Sequence, residues 1–333
     1  MIRLIVIVLV VALGWMIWWA FGSTALERSL TAWIDERRAE GWAADVATLE
    51  VQGFPNRFDT TLSEVRLADP ATGVAWSAEF LQLLALAYRP TEVIAVLPND
   101  HTLSTPLQTL EFSHDQARGS IYLRPSPSLP LDRSTVVIDG LRLTSSLGWD
   151  AALTQGRFAT ETVPARQNAH RIGAEFLELE LSRDMQRIID PRSLLPDTVD
   201  RLRLDADVGF TKAWDRSAIE VARPQITDVK LNDLSAEWGS VKFRAAGEFT
   251  VDDRGVPDGI VTLRAEDWRK MLEIAEATGL VPEAFVSPLE NGLRLMAGLS
   301  GRPDTIDTEL RFANGLVSVG PIPIGPAPRF VIR

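Results

Sequence analysis

Leu4 to Gly22 is a run of 19 residues without a charge, apolar on every side. As a helix rising about 1.5 Å per residue it would span about 28 Å, close to the hydrocarbon thickness of a bilayer. Trp15, Trp18, Trp19 and Phe21 crowd its C-terminal end, where indole rings favour the membrane interface. Residues 1–23 are therefore predicted to be a transmembrane anchor, with Leu4, Val11, Trp15, Trp18 and Trp19 as its membrane residues. A cleaved signal peptide competes, because Ser23-Thr24-Ala25 is a passable cleavage site. Its apolar stretch would be shorter, about 7–15 residues.

The pattern then changes twice. Leu26, Leu30, Trp33 and Ile34 recur at helical spacing after a Ser23-Thr24 that suits an N-cap, with Glu27 in capping-box position. This predicts an amphipathic helix over 24–42 that packs on the body or lies along the membrane surface. From about Val46 to Thr262 the period is two. Leu202, Leu204, Ala206, Val208 and Phe210 alternate with charged residues and a glycine. Val241, Phe243, Ala245, Gly247, Phe249 and Val251 alternate with a mostly polar set, and Leu177, Leu179 and Leu181 with Glu178, Glu180 and Ser182. One apolar and one polar face belong to antiparallel sheet with a wet side. Asp69-Pro70, Pro98-Asn99-Asp100, Pro125-Ser126-Pro127 and Asp252-Asp253-Arg254-Gly255 supply turns.

Trp268, Met271, Leu272 and Ala275 return to period 3.6, with Gly279 placed as a C-cap. A second helix follows over Phe285–Met296, weakened by Pro288 and Gly292, and then strands near Thr305–Phe312 and Leu316–Ile324. The predicted fold is mainly β: long curved antiparallel strands after an N-terminal transmembrane helix and an amphipathic helix. A β-rich domain fills 43–333, with a helical insertion at about 265–299.

Composition removes several functions. Lys and Arg number 34 against 45 Asp and Glu, a net charge of −11, so nucleic acid is not the expected main partner. The chain has no Cys, which excludes thiol catalysis and Cys-bound metal. His101, His114 and His170 are its three histidines. None forms an i, i+3 or i, i+4 pair, although His101 and His114 can meet across a hairpin. Gly298-Leu299-Ser300-Gly301 is one residue out of register for a nucleophile elbow, and no P-loop appears. No catalytic residue, cofactor or metal is expected.

Two segments resemble a known family. Gly53-Phe54-Pro55 sits between the first apparent strands, and an Asn314-Gly315 turn leads to a strand bearing Gly320-Pro321. With the anchor, these resemble the bacterial domain of unknown function 2125 family. The layout is also similar, more weakly, to AsmA-like and lipid-binding envelope proteins. Read alone, Gly53 suits a positive φ at a strand end, Phe54 is expected in the core, and Gly320-Pro321 suits an edge strand. The resemblance implies a single-pass protein of the bacterial inner membrane with its body in the periplasm. The arginine count disagrees, since Arg28, Arg37 and Arg38 follow the run and Arg3 alone precedes it. The expected role is non-enzymatic contact with lipid, or lipid transfer. An apolar groove would be lined by Leu202, Leu204, Val208, Phe210, Val241, Phe243 and Phe249. The alternative is a structural or assembly protein of the envelope that binds a membrane-protein partner.

Overall fold

The computed structural model describes residues 1–279, 281, 283–299, 301–319 and 322–332. The chain is mainly β and forms two compact units. One comprises Met1–Arg124 and Val136–Gly148; the other comprises Pro125–Thr135 and Trp149–Arg333.

The first unit begins with one helix, α1 (Ile2–Ala39). The apolar run and the amphipathic segment are continuous in it. Ser23 does not cap a new helix: its hydroxyl donates to the Ala20 carbonyl at 3.1 Å, inside the helical ladder. The helix stops where Gly41 takes φ +90 and the Trp42 N–H returns to the Arg37 carbonyl. The strands are β1 (Ala43–Asp45), β2 (Thr48–Gln52), β3 (Arg57–Asp69), β4 (Val74–Leu86), β5 (Arg89–Val96), β6 (Asp100–Ser104), β7 (Thr109–Ser113), β8 (Gln116–Leu123) and β9 (Leu131–Ser145), which starts in the second unit. β1 and β2 share one edge of β3, and β4 takes the other. β4 then forks. Its residues 75–78 pair with β6, which leads to β7 and the end of β9. Residues 82–86 pair with β5, which leads to β8.

Ile34 of α1 closes the core of this unit against Ala44, Leu62 and Val65. Leu62 and Val65 are three apart, a spacing that strict alternation would put on opposite faces. Glu64 between them sits at φ +49 and turns the side-chain direction by one residue, so both reach the core.

The second unit is an antiparallel meander in which each strand pairs with the next. It runs β10 (Asp150–Thr162), β11 (Ala169–Leu181), β12 (Thr198–Phe210), β13 (Ile226–Trp238), β14 (Val241–Val251), β15 (Pro257–Glu266), β16 (Thr305–Ala313), β17 (Leu316–Val319) and β18 (Ile322–Pro326). Short helices α2 (Arg183–Ile189) and α3 (Arg216–Glu220) follow β11 and β12. The insertion between β15 and β16 is α4 (Trp268–Ala277) and α5 (Glu283–Leu299), which bury Trp268, Leu272 and Ala297 against Ile306. Asn314 and Gly315 both take positive φ, as a two-residue hairpin requires. The strand expected over Leu316–Ile324 is two strands, β17 and β18.

Candidate functional site

Three surfaces carry the residues singled out in the sequence. The first joins α1 to the β2–β3 hairpin. Trp15 stacks on Trp18 at 5.0 Å, and Trp19 meets Phe54 edge-on at 5.4 Å. The Trp15 Nε1–H donates to the Pro55 carbonyl at 2.7 Å, and the Trp19 Nε1–H to the Arg57 carbonyl at 2.8 Å. Gly53 holds φ +102 while its carbonyl accepts from the Arg57 N–H at 2.9 Å; a Cβ there would lie 2.8 Å from that of Arg57. Phe54 does not enter the core. It is 50% exposed, because the hairpin tip projects past the sheet, and the buried aromatic position is taken by Phe58. Leu4, Val11 and Trp18 on α1 are likewise exposed.

The second surface is the apolar face of the meander. Register sets Phe176, Leu202, Ala236 and Phe243 side by side. The next row holds Phe158, Ala174, Leu204, Leu234 and Ala245. Further along come His170, Val208, Val229 and Phe249. That far end is closed. Phe210 packs edge-on to Trp214 at 5.6 Å, and Phe249 lies 5.2 Å from Phe330. The closing segment is tied down by Gln225, whose amide bonds both the N–H and the carbonyl of Ile332.

Among the predicted groove residues, Leu204, Val208 and Phe210 join one buried cluster, and Phe243 and Phe249 another. The two clusters share Ile226, Val229 and Leu231. Leu202 shares a row with Phe243, whereas Val241 pairs with Trp238 at the strand end. The opposite end of the face is open: Phe158, Phe176 and Leu234 are 40%, 38% and 39% exposed. Sequence reasoning passed over these three. Their signal was large apolar residues within strands of otherwise modest hydrophobicity.

The third surface is polar. A cleft of about 460 Å³ on β10–β12 and the start of β9 is lined by Arg133, Arg157, Arg171, Arg201 and Arg203 against Glu161, Glu175 and Asp205. Arg171 grips Asp205 with bonds of 3.0 and 2.7 Å, and this holds the Asp205 carboxyl below the usual carboxylate range. Arg201 pairs with Glu175. Arg157 has no ion-pair partner among the described residues. In the first unit His101 stacks on Phe112 at 4.7 Å and lies 5.4 Å from His114. His114 is buried, and neither of its ring nitrogens has a hydrogen-bond partner among the described residues. Burial pushes both imidazoles below their ordinary pKa, His101 further through its neighbour His114. His170, also buried, meets the Thr160 hydroxyl at 3.2 Å.

Two hydroxyls lie near lysines, and in the first of them Lys270 Nζ donates to Ser240 Oγ at 2.6 Å while that hydroxyl donates to Asp267 at 2.6 Å. In the second, Lys212 Nζ approaches Ser217 Oγ at 3.1 Å. The Ser217 hydroxyl donates to Asp215 at 2.7 Å, and that same carboxylate caps α3 through the Ser217 N–H. The hydroxyl proton is thus committed to a carboxylate, and the lysine acts as donor, which is the geometry of a cap.

Residues 19–328 match the family model DUF2125, described as an uncharacterized protein conserved in bacteria. The chain belongs to this family. No curated protein and no solved structure matches it. The weaker likeness to AsmA-like proteins therefore gains no support. The DUF2125 match starts at Trp19, within the aromatic end of the apolar run, and takes in Gly53, Phe54 and Pro55 together with the whole meander. It also spans Gly320 and Pro321, which lie outside the described residues.

Proposed function

We propose that this DUF2125 protein is a single-pass protein of the bacterial inner membrane, with its body in the periplasm, and that its second unit holds lipid acyl chains against the open part of its apolar face. The anchor is the helix α1, whose apolar residues 4–22 are long enough to cross a bilayer. The observation that supports lipid contact is the exposure of Phe158, Phe176 and Leu234 on a face whose continuation is closed by aromatic packing. Large apolar groups left in water on adjoining strands mark a surface that something apolar covers. An acyl chain suits a strip of this width. Each buried methylene contributes about 0.8 kcal/mol, so a chain of ordinary length offsets the cost of ordering it.

The test uses the full chain in phospholipid vesicles containing a lipid with a photoreactive acyl tail. Cross-links at Phe158, Phe176 or Leu234, lost in Phe176→Glu, are expected. Cross-links confined to residues 2–22 would sink the lipid-contact reading while keeping the anchor.

A further inference from the structure

Register across the meander sets four residues of its polar side in one row. Arg203 on β12 faces Ser235 on β13, Ser235 faces Arg244 on β14, and Arg244 faces Arg264 on β15. Adjacent strands lie about 4.8 Å apart, so the backbones of Arg203 and Arg264 are about 14 Å apart. No carboxylate stands between them in the row. Arg244 and Arg264 are directly opposite each other, where like charges destabilise a strand pair. In a chain with 45 Asp and Glu against 34 Lys and Arg, three arginines in a row without an acid run against the composition.

The neighbouring carboxylates do not neutralise the opposed pair. Glu266 and Asp307 each stand 3.7 Å from Arg264 Nε, too far for a hydrogen bond, and that buried Nε has no acceptor among the described residues. Asp233 lies 3.5 Å from Arg203 Nε and accepts from the Ser235 hydroxyl at 3.3 Å. Arg244 is exposed, with no side-chain hydrogen bond or ion pair among the described residues. We propose that this row is a binding site for an oxyanion of the phosphate class, held between Arg244 and Arg264 with Arg203 at its flank. Guanidinium groups present planar forks of N–H donors that match phosphate oxygens. An anion between two of them replaces one repulsion by two attractions.

The site goes beyond the lipid-contact reading and does not rest on it. Phe243 and Ala245 alternate with Arg244 and point to the other face, where they join the cluster of Phe249. Each of β12 to β15 is paired on both sides, so the sheet separates this row from Phe158, Phe176 and Leu234. The anion is therefore not the headgroup of a lipid lying along that strip. Two sources have the required chemistry: phosphate groups in solution, and phospholipid headgroups at a bilayer surface.

The full chain in neutral detergent micelles is titrated with inorganic phosphate in a calorimeter, with sodium chloride at equal ionic strength as the control. Saturable binding is expected, at least tenfold weaker in Arg244→Gln and in Arg264→Gln. It should be unchanged in Arg187→Gln, whose exposed arginine pairs with Asp184 on α2. Thermal melts give a second reading. Without phosphate, Arg244→Gln removes one of two opposed charges and should melt no lower than the wild type. Added phosphate should raise the wild-type melting temperature and leave that of Arg244→Gln in place. No saturable heat beyond the chloride control, or heat that survives both substitutions, overturns the proposal. Melting of Arg244→Gln below the wild type in phosphate-free buffer overturns it too, since Arg244 would then have a stabilising partner within the chain. The source is assigned by repeating the titration in vesicles of phosphatidylcholine, alone or mixed with phosphatidylglycerol, at an ionic strength that screens the vesicle surface. Weaker apparent phosphate binding in the mixed vesicles supports the site with a headgroup as its ligand. Equal binding in both supports it with a soluble phosphate.

Discussion

Trp19 and Arg57 are 38 residues apart in sequence, yet the indole of one donates a 2.8 Å hydrogen bond to the backbone carbonyl of the other. The bond fixes the start of β3 to a chosen turn of α1. Ile34, a little over four turns further along the helix, fixes the middle of the same strand through Leu62 and Val65. Two attachments on one long helix define its direction over the sheet. The apolar residues 4–22 run into this helix without a break, so their direction is tied to that of the first unit.

Trp19→Phe keeps an aromatic ring and removes the donor, leaving the Arg57 carbonyl without that partner. A loss of about 1–2 kcal/mol is expected. Trp15→Phe should behave alike, through Pro55. Trp33→Phe is the control, because Trp33 is exposed and no such bond is broken; it should stay within about 0.5 kcal/mol. Urea unfolding in micelles reads all three, and an equal loss at position 33 would discount the two indole bonds.

Gly22→Ala sets two effects against each other. Alanine favours a helix interior over glycine by about 1 kcal/mol. At Gly22, however, a Cβ would stand 2.7 Å from the tip of the buried Phe58 ring. Overpacking of that kind costs about 1–3 kcal/mol, so the net change should be destabilising. Gly14 has nothing within 4 Å, and Gly14→Ala should be neutral or stabilising. Thermal melts in the same detergent decide the sign at each position.

The histidine pair predicts a loss of stability in acid. His101 and His114 have folded pKa values lowered below the ordinary 6.5, burial being the largest cause for each. The unfolded chain therefore takes up their protons first. The pair's neutral forms support the fold fully above about pH 6.5, and that support drains as pH falls from there toward the lowered folded values. Asp100 near both rings and Asp115 near His114 oppose the shift without reversing it. The urea midpoint of the first unit should drop between neutral pH and about 5. His101→Phe, which preserves the stack on Phe112, should flatten that drop. An unchanged slope would assign the acid response to other groups.

The elements that alternation wrote into the sequence are the ones whose faces differ in polarity. Leu202–Phe210 and Val241–Val251 are legible because one side is buried and the other wet, and they fall in β12 and β14. The run Leu4–Gly22 is legible for the opposite reason, since no face of it is polar. The join at Ser23–Thr24 misled because a hydroxyl suits a cap in sequence, whereas here Ser23 satisfies a carbonyl one turn back. Glu64 was hidden for a similar reason. A non-glycine at positive φ has no strong signature, and only the three-residue step from Leu62 to Val65 betrays it. Phe54 reads as core by type, but its place depends on where α1 lies, which no local pattern encodes. The open end of the apolar face was equally illegible. Phe176 and Phe249 both occupy apolar rows, and Phe312 together with the returning segment around Phe330 buries the second while the first stays exposed.

That contrast gives the most discriminating measurement. Phe249 is 9% exposed and packs on Phe312 and Phe330 at 5.7 and 5.2 Å. Phe249→Ala removes a filled position and leaves a cavity, a loss of about 3–5 kcal/mol. Phe176 is 38% exposed, so its ring is only partly withdrawn from water. Phe176→Ala should then cost less than about 1.5 kcal/mol, because there is little packing to lose and no closed cavity to create. If acyl chains occupy the open strip, added phospholipid should stabilise the wild-type chain measurably more than Phe176→Ala, by mass action on the folded state. Phe249→Ala should retain that lipid-dependent gain even though its baseline is lower. The measurement is the unfolding midpoint with and without short-chain phospholipid below its micelle concentration. An equal lipid gain in the wild type and Phe176→Ala would remove the open strip from the lipid reading. A cost at Phe176 as large as at Phe249 would show that the strip is covered by protein in solution.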